Sequence, residues 1–396
     1  VKYIAETAVG KLHFARRPRY EGMLMQRIRL RRTLNRVQAV SPWPQGVATR
    51  NAGNRRQAGL ESAGAFVHEG GMKSRSSLPR RSFLKTSLAL GAVSLASPLA
   101  RAAAAAKKEP FKISLAQWSL NKRFLKRAGA EPLDNLEFAR TARSLGIDGL
   151  EYVNQMFKDK AKDQAYLGEM KKRASSEGVK SLLIMCDGEG SLGAPVEADR
   201  AKTVENHLKW LDAAAFLGCH SIRVNAASDG KLSADEQAKL AADGLRRLCV
   251  EGDKRGLWVV VENHGGLSSN GKWLIDVMKR ADHKRVGILP DFGNFYTDRQ
   301  RSELYNPYQG LREFMPWVKE AVSAKSWDWD TGAGRFYTED RRDKIEMTLD
   351  FERLIRIVIA AGYSGYIGIE YEGAKHSEID GIKRTKQALE EIRAML

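Results

Sequence analysis

The chain is 396 residues long, 43% hydrophobic and 29% charged, with a formal net charge of +18. Residues 1–71 hold 13 Lys and Arg against 4 Asp and Glu, residues 72–106 hold 6 against none, and the rest hold 47 against 44. The basic excess therefore lies ahead of residue 107, and the nearly balanced remainder lacks the electrostatic footprint of a nucleic-acid-binding surface.

Residues 1–71 are rich in Arg, Gly and Ala and show neither helical nor strand periodicity. They read as an upstream extension, either translated ahead of a true start at Met72 or disordered in its own right. Next comes Pro79-Arg80-Arg81-Ser82-Phe83-Leu84-Lys85, then an apolar stretch from Thr86 to Leu99 and the small-residue exit Ala100-Arg101-Ala102. Paired arginines, a short apolar run and an A-x-A pattern resemble a twin-arginine export leader over residues 72–106, so the mature protein is expected to be periplasmic or otherwise exported. The apolar run is too short to span a bilayer comfortably, and no membrane association is expected after processing.

Beyond Lys107, short β-rich runs alternate with amphipathic helical patterns. The predicted strands are Lys112–Gln117, Gly149–Val153, Lys180–Cys186, His220–Asn225, Leu257–Glu262, Val286–Asp291, Ala321–Ser326 and Tyr366–Tyr371. Between them lie predicted helices at Leu133–Leu145, Ala201–Leu217, Ser233–Arg255, Gly271–Ala281 and Leu349–Ala361. Gly146, Gly178, Gly218, Gly256 and Gly362 stand where helices must stop before the next strand, because glycine accepts the left-handed turn that ends a helix. Eight βα units over residues 107–396 predict a single-domain α/β fold, a (β/α)8 TIM barrel. A doubly wound sheet would carry a Gly-rich phosphate loop after its first strand, and Gln117-Trp118-Ser119-Leu120 is not one. Cys186, Cys219 and Cys249 lie far apart without CxxC spacing and are expected to be buried free thiols.

In such a barrel the chemistry sits at the C-terminal strand ends. The polar residues there are Gln117, Glu151 with Asn154, Asp187, Arg223 with Asn225, Glu262 with His264, Asp291 with Asn294, Lys325, and Glu370 with Glu372. Glu262, Asp291 and Glu370 follow the most apolar approaches. Three carboxylates converging on one mouth repel unless a divalent cation sits among them; the alternative is three separately salt-bridged acids. Glu151 is expected either to pair with Arg223 or to bind a substrate hydroxyl. His264 is read as a substrate-binding or turn residue, and Lys325 either as an electrostatic partner of substrate or as a neutraliser of the acids. Trp118, Trp327, Trp329, Phe295 and Tyr296 lie on the same loops, where they either line a sugar site or pack the loops together.

At these residues the chain resembles the sugar phosphate isomerase/epimerase (xylose isomerase-like) family. Its members hold a divalent metal with a Glu ending strand five, an Asp after strand six, a His after strand seven and a Glu after strand eight. Glu262, Asp291 and Glu370 match three of these positions, whereas Ser323 stands where the histidine is expected, and Asn294 replaces a histidine common in relatives. The resemblance implies metal ligation by Glu262, Asp291 and Glu370, with Glu262 and Glu370 as the catalytic pair. It also implies substrate contacts from Glu151, Arg223, Asn225, His264, Asn294 and Lys325. With both imidazoles absent, an oxygen-rich site favours Mn²⁺ or Mg²⁺ over Zn²⁺. The implied function is an exported, divalent-metal-dependent sugar isomerase or epimerase working by proton transfer through an enediolate, on a small-molecule sugar. A keto-sugar lyase and a non-catalytic carbohydrate-binding barrel remain alternatives. An endonuclease of the same superfamily fits poorly, for want of histidines and of basic charge. Oligomerisation is left open.

Overall fold

Eight strands pair edge to edge in sequence order: β1 (Lys112–Ala116), β2 (Gly149–Val153), β3 (Lys180–Met185), β4 (Ser221–Val224), β5 (Trp258–Glu262), β6 (Val286–Leu289), β7 (Ala321–Ser326) and β8 (Tyr366–Tyr371). This computed structural model describes residues 109–300, 302–341 and 346–396, so the expected extension and leader lie outside the described residues. All neighbouring strands run parallel, and β8 returns to pair with β1. Between them run α1 (Phe138–Ser144), α2 (Gln164–Ser176), α3 (Glu197–Leu217), α4 (Ala234–Lys254), α5 (Gly271–Ala281), α6 (Pro307–Phe314), α7 (Phe351–Ala360) and α8 (Glu378–Ala394). The fold is a (β/α)8 barrel. Among the described residues no helix is long and apolar enough to cross a membrane.

Local chemistry accounts for the punctuation. The five expected stop glycines all have positive φ, at 69°, 65°, 83°, 71° and 83° in chain order. Ser233 opens α4 with a capping box to Glu236, so two of the helix's exposed N–H donors are satisfied reciprocally. The α7 prediction began two residues early. Met347–Asp350 instead pairs antiparallel with Tyr337–Asp340, and Asp350 then caps α7 by accepting from Arg353 N–H.

Strand β6 also ends short of its expected limit, at Leu289. Pro290 has no N–H to extend the ladder. The seam between β6 and β7 has no continuous ladder: Ile288 bridges Val318 ahead of β7, and within β7 the closure is at Asp291 opposite Ser323. There Ser323 N–H donates to the Pro290 carbonyl at 2.9 Å, and Phe292 N–H donates to the Ser323 carbonyl at 3.1 Å. The Asn263 side chain replaces the missing β5–β6 ladder, accepting from Asp291 N–H at 2.8 Å and donating to the Asp291 carbonyl at 3.0 Å.

Strand alternation sorts side chains into two cores. Val259, Val261, Ile288, Val322 and Ile369 face outward against the helices in the main core. Ala116, Val153, Leu183, Met185, Val260, Leu289 and Ala321 face inward as a separate plug. Full burial of each larger aliphatic side chain contributes roughly 1.5–3 kcal/mol. On β1–β3 the plug residues Ala116, Val153 and Met185 line the strand ends, with the buried pair Ser114 and Glu151 next along β1 and β2, while β5, β7 and β8 carry Glu262, Lys325 and Glu370 at their ends. All three cysteines are buried and free.

Candidate metal centre

Two residues past the plug residues Val260 and Leu289, β5 presents Glu262 and the turn after β6 presents Asp291, and β8 presents Glu370. All three are at most 3% exposed, and one carboxylate oxygen from each lies within 4.8 Å of the others. Neighbouring donors engage one oxygen of each acid. Asn294 Nδ2 donates to Glu262 Oε1 at 2.8 Å. The N–H groups of Gly293 and Asn294 donate to Asp291 Oδ1 at 2.8 and 2.9 Å. Lys325 Nζ donates to Glu370 Oε1 at 2.6 Å. Of the other three oxygens, Glu262 Oε2 faces Arg223, and the single Ser323 hydroxyl hydrogen is shared between Asp291 Oδ2 at 2.7 Å and Glu370 Oε2 at 3.2 Å.

Glu262 Oε2 touches Arg223 Nε at 2.7 Å, but their approach is too bent for a hydrogen bond, and neither atom has another such partner. The two buried cations, Arg223 and Lys325, are fewer than the acids they face, Asp187, Glu262, Asp291, Glu370 and Glu372, so the converging carboxylates still repel one another. That convergence and the oxygen-only donor set fit a hard divalent ion held by Glu262, Asp291 and Glu370.

Electrostatics give the same picture. Burial pushes the Asp291 carboxyl well above the usual range; Glu262 and Glu370 add to the rise, and Lys325 and Ser323 oppose it. Burial likewise carries Glu370 up to about 7, against the pull of Lys325 and with help from Glu262 and Glu372. Burial works against the Lys325 ammonium, but Asp291, Glu370, Glu372 and Glu262 outweigh it and hold its pKa well above the ordinary value. Its Nζ is 2.8 Å from Glu372 Oε1 and 3.8 Å from Asp291 Oδ2.

Glu151 does not pair with Arg223. Ser114 Oγ donates to its Oε1 at 2.6 Å, while Oε2 has no hydrogen bond. Gly368 on β8 makes this possible, because a Cβ there would strike the Glu151 carboxylate. Burial raises Glu151 to about 7; Ser114 opposes the rise, Glu370 and Glu262 add to it, and Arg223 counters. Arg223 instead bridges Asp187 Oδ1, at 2.7 Å, and Glu262. Asn225 Nδ2 also donates to Asp187 Oδ1, at 2.8 Å. Burial pushes Asp187 up, yet Arg223, His264 and Asn225 bring it below its ordinary value.

His264 reaches solvent within this concave mouth. Glu262 draws its pKa up, but desolvation and the cations Arg223 and Lys325 hold the ring below its usual value. Asn294 is fixed by its backbone, whose carbonyl accepts from Asn263 Nδ2 at 3.0 Å and Ser269 Oγ at 2.6 Å.

Two further residues complete the constellation: Asp187, which stood among the strand-end polar residues without an assigned role, and Asn263, which did not. Asp187 is signalled by Arg223, since a buried guanidinium needs acids on more than one side. Asn263 has no such signal, because alternation turns it away from the barrel interior. Among the aromatics, Trp329 packs edge-on against Phe351 with ring centres 4.9 Å apart, and Phe295 stacks on Phe314, so both pack loops rather than line the mouth. Trp118 alone of the five packs against the inner plug. The groove lined by Arg312, Arg353 and Arg356 lies on the outer wall between α6 and α7 and shares no residue with the centre.

Comparison with known proteins supports this architecture. Residues 139–395 match the family model described as xylose isomerase-like TIM barrel. Among solved structures, the apo 3-keto-D-glucoside 4-epimerase from E. coli is 19% identical, with 72% of this chain and 99% of that one covered at a TM-score of 0.53. A xylose isomerase-like TIM barrel protein from Mycobacterium smegmatis in complex with magnesium is 14% identical, covering 72% and 97% at a TM-score of 0.52. A D-tagatose 3-epimerase-like protein is 16% identical, covering 72% and 98% at a TM-score of 0.52. At these identities the likeness is one of fold. No curated protein sequence matches significantly.

Proposed function

The chain belongs to the xylose isomerase-like TIM barrel family, and on that premise we propose that it is a divalent-metal-dependent sugar isomerase or epimerase. The observation that carries this reading is the convergence of Glu262, Asp291 and Glu370, one carboxylate oxygen of each lying within 4.8 Å of the others. A bound Mn²⁺ or Mg²⁺ supplies Lewis acidity, lowering the pKa of a C–H flanked by carbonyl and hydroxyl oxygens.

Glu262 and Glu370 perform the proton transfers through an enediolate. They lie three strands apart around an eight-stranded ring, nearly across its mouth, so each works on one face of a substrate between them. Glu370, whose Oε1 is held by Lys325, takes and returns the proton on its face of the substrate. Lys325 and Arg223 balance the negative charge that develops on oxygen, and Asn225, Asn294, His264 and Glu151 bind substrate hydroxyls. We take the substrate to be an unphosphorylated sugar, because the acids at the centre, Asp187, Glu262, Asp291, Glu370 and Glu372, outnumber Arg223 and Lys325 and leave no surplus positive charge to attract a phosphate. The twin-arginine segment at Arg80-Arg81 supports export, where free sugars are the expected encounter.

The test is elemental analysis of the purified protein, followed by incubation with keto-sugars in D₂O. About one divalent ion per chain and deuterium at the carbon next to the carbonyl are expected. Stoichiometric Mn²⁺ without exchange on any keto-sugar would leave a carbohydrate-binding barrel. Release of water or cleavage of carbon–carbon bonds would mark a lyase.

A further inference from the structure

The metal-binding reading above, on which this inference rests, draws on three carboxylates, and the Ser323 hydroxyl stands among them. Ser323 is 1% exposed and occupies the inward position of β7 between Ala321 and Lys325. Its Oγ is 2.7 Å from Asp291 Oδ2 and 3.2 Å from Glu370 Oε2. A hydroxyl has one hydrogen, so as a donor it serves only one of these two acids. As a ligand it serves both contacts at once: oxygens around an octahedral ion bound at ~2.1 Å sit ~3 Å apart, the spacing found here. The convergence of Glu262, Asp291 and Glu370, with one oxygen from each within 4.8 Å of the others, is the independent sign that a further positive charge belongs among these oxygens.

The backbone holds the hydroxyl in place. Ser323 is tied to the β6 side of the seam on both sides, by its N–H to Pro290 and by its carbonyl to Phe292. On the other flank Lys325 takes Glu370 Oε1, which leaves Oε2 next to the serine.

We propose that Ser323 Oγ is the fourth protein ligand of the divalent ion, completing an all-oxygen set with Glu262, Asp291 and Glu370. A neutral hard oxygen in place of an imidazole removes the ligand that most favours Zn²⁺, so this one residue sets the preference for Mn²⁺ or Mg²⁺.

The full-length protein, stripped with EDTA, is titrated calorimetrically with MnCl₂ and with ZnCl₂ in wild-type, Ser323→Ala, Ser323→Thr and Ser323→His forms. Melting curves in EDTA establish that each variant folds. Ser323→Ala should weaken Mn²⁺ by at least about tenfold, and Ser323→Thr, which keeps the hydroxyl, should restore it. Ser323→His should raise Zn²⁺ affinity relative to Mn²⁺ by about a hundredfold. If Ser323→Ala folds and binds Mn²⁺ as tightly as wild type, the serine is not a ligand, and the isomerase reading stands without it. Should Ser323→Ala fail to fold, Ser323→Thr and Ser323→His decide: weak Mn²⁺ binding by Thr, or an unchanged metal order in His, overturns the proposal. Wild type that takes up no ion overturns both this inference and the function it rests on. Tight Mn²⁺ binding through Ser323 without deuterium exchange overturns the function alone.

Discussion

Lys325 Nζ lies 2.6 Å from Glu370 Oε1, with both side chains at most 3% exposed. Among the described residues this ion pair is the most direct cationic counterweight to the acidic centre, and a pair sealed from water is costly to break from one side. Lys325→Met should therefore destabilise the metal-free protein by about 3–5 kcal/mol. Saturating Mn²⁺ should recover much of the loss, because an ion that binds only the folded state adds stability by mass action. Urea unfolding with and without Mn²⁺ measures both. A metal-free variant as stable as wild type would show that the lysine is not compensating the acids.

Protonation supplies a second test. The Glu151 carboxyl is raised to about 7 from an ordinary value of 4.5. The folded state therefore binds this proton more tightly than the unfolded chain does. The stability from that proton is complete below about 4.5 and is lost as the pH rises through about 7. Metal-free protein should lose on the order of 3 kcal/mol across that window from this group. Glu151→Gln should flatten the slope, as read from unfolding midpoints at several pH values. A slope unchanged by the substitution would mean that Glu151 is ionised throughout.

Space around that carboxyl gives a third. Gly368→Ala places a methyl group against the Glu151 carboxylate, so overpacking should cost about 1–3 kcal/mol. The double variant with Glu151→Ala should recover most of it, and additive losses would deny the contact.

Catalysis is tested most sharply by Glu370→Gln, which keeps the size and one liganding oxygen but removes the base. Bound metal should remain while turnover falls at least about a hundredfold, the usual scale of acid–base assistance. Retained turnover together with retained solvent exchange would end the two-carboxylate mechanism and direct attention to Lys325 and His264.

Export is tested by replacing Arg80 and Arg81 with lysine. The precursor should then stay in the cytoplasm, and the wild-type exported form should begin near Ala103. Unchanged export of the double-lysine variant would rule out the twin-arginine route.

Much of the barrel could be read directly from residues, because parallel strands buried on both faces appear as uninterrupted apolar runs, as in Val259-Val260-Val261. Glycines at forced left-handed turns marked where helices ended. The convergence of Glu262, Asp291 and Glu370 was likewise foreseeable, since the ends of parallel strands meet at one mouth. Pairings across the barrel were not. Alternation along β4 says that Arg223 faces inward, but not that it reaches Asp187 and Glu262 while leaving Glu151 to Ser114. Asn263 escaped notice because its task is to replace backbone hydrogen bonds that Pro290 removes, and nothing in its neighbours' composition announces that.

The seam between β6 and β7 has a consequence for motion. Every other strand boundary is a ladder of several residue pairs, but here the ring is fastened at Asp291 and Ser323, two residues of the proposed ion site. Breathing of the barrel should begin at this fastening, and an ion gripping both residues acts as a clasp across it. Amide hydrogen exchange at Phe292 and Ser323, fast in EDTA, should then slow more on adding Mn²⁺ than exchange at Val260 or Ile369, which lie within unbroken ladders.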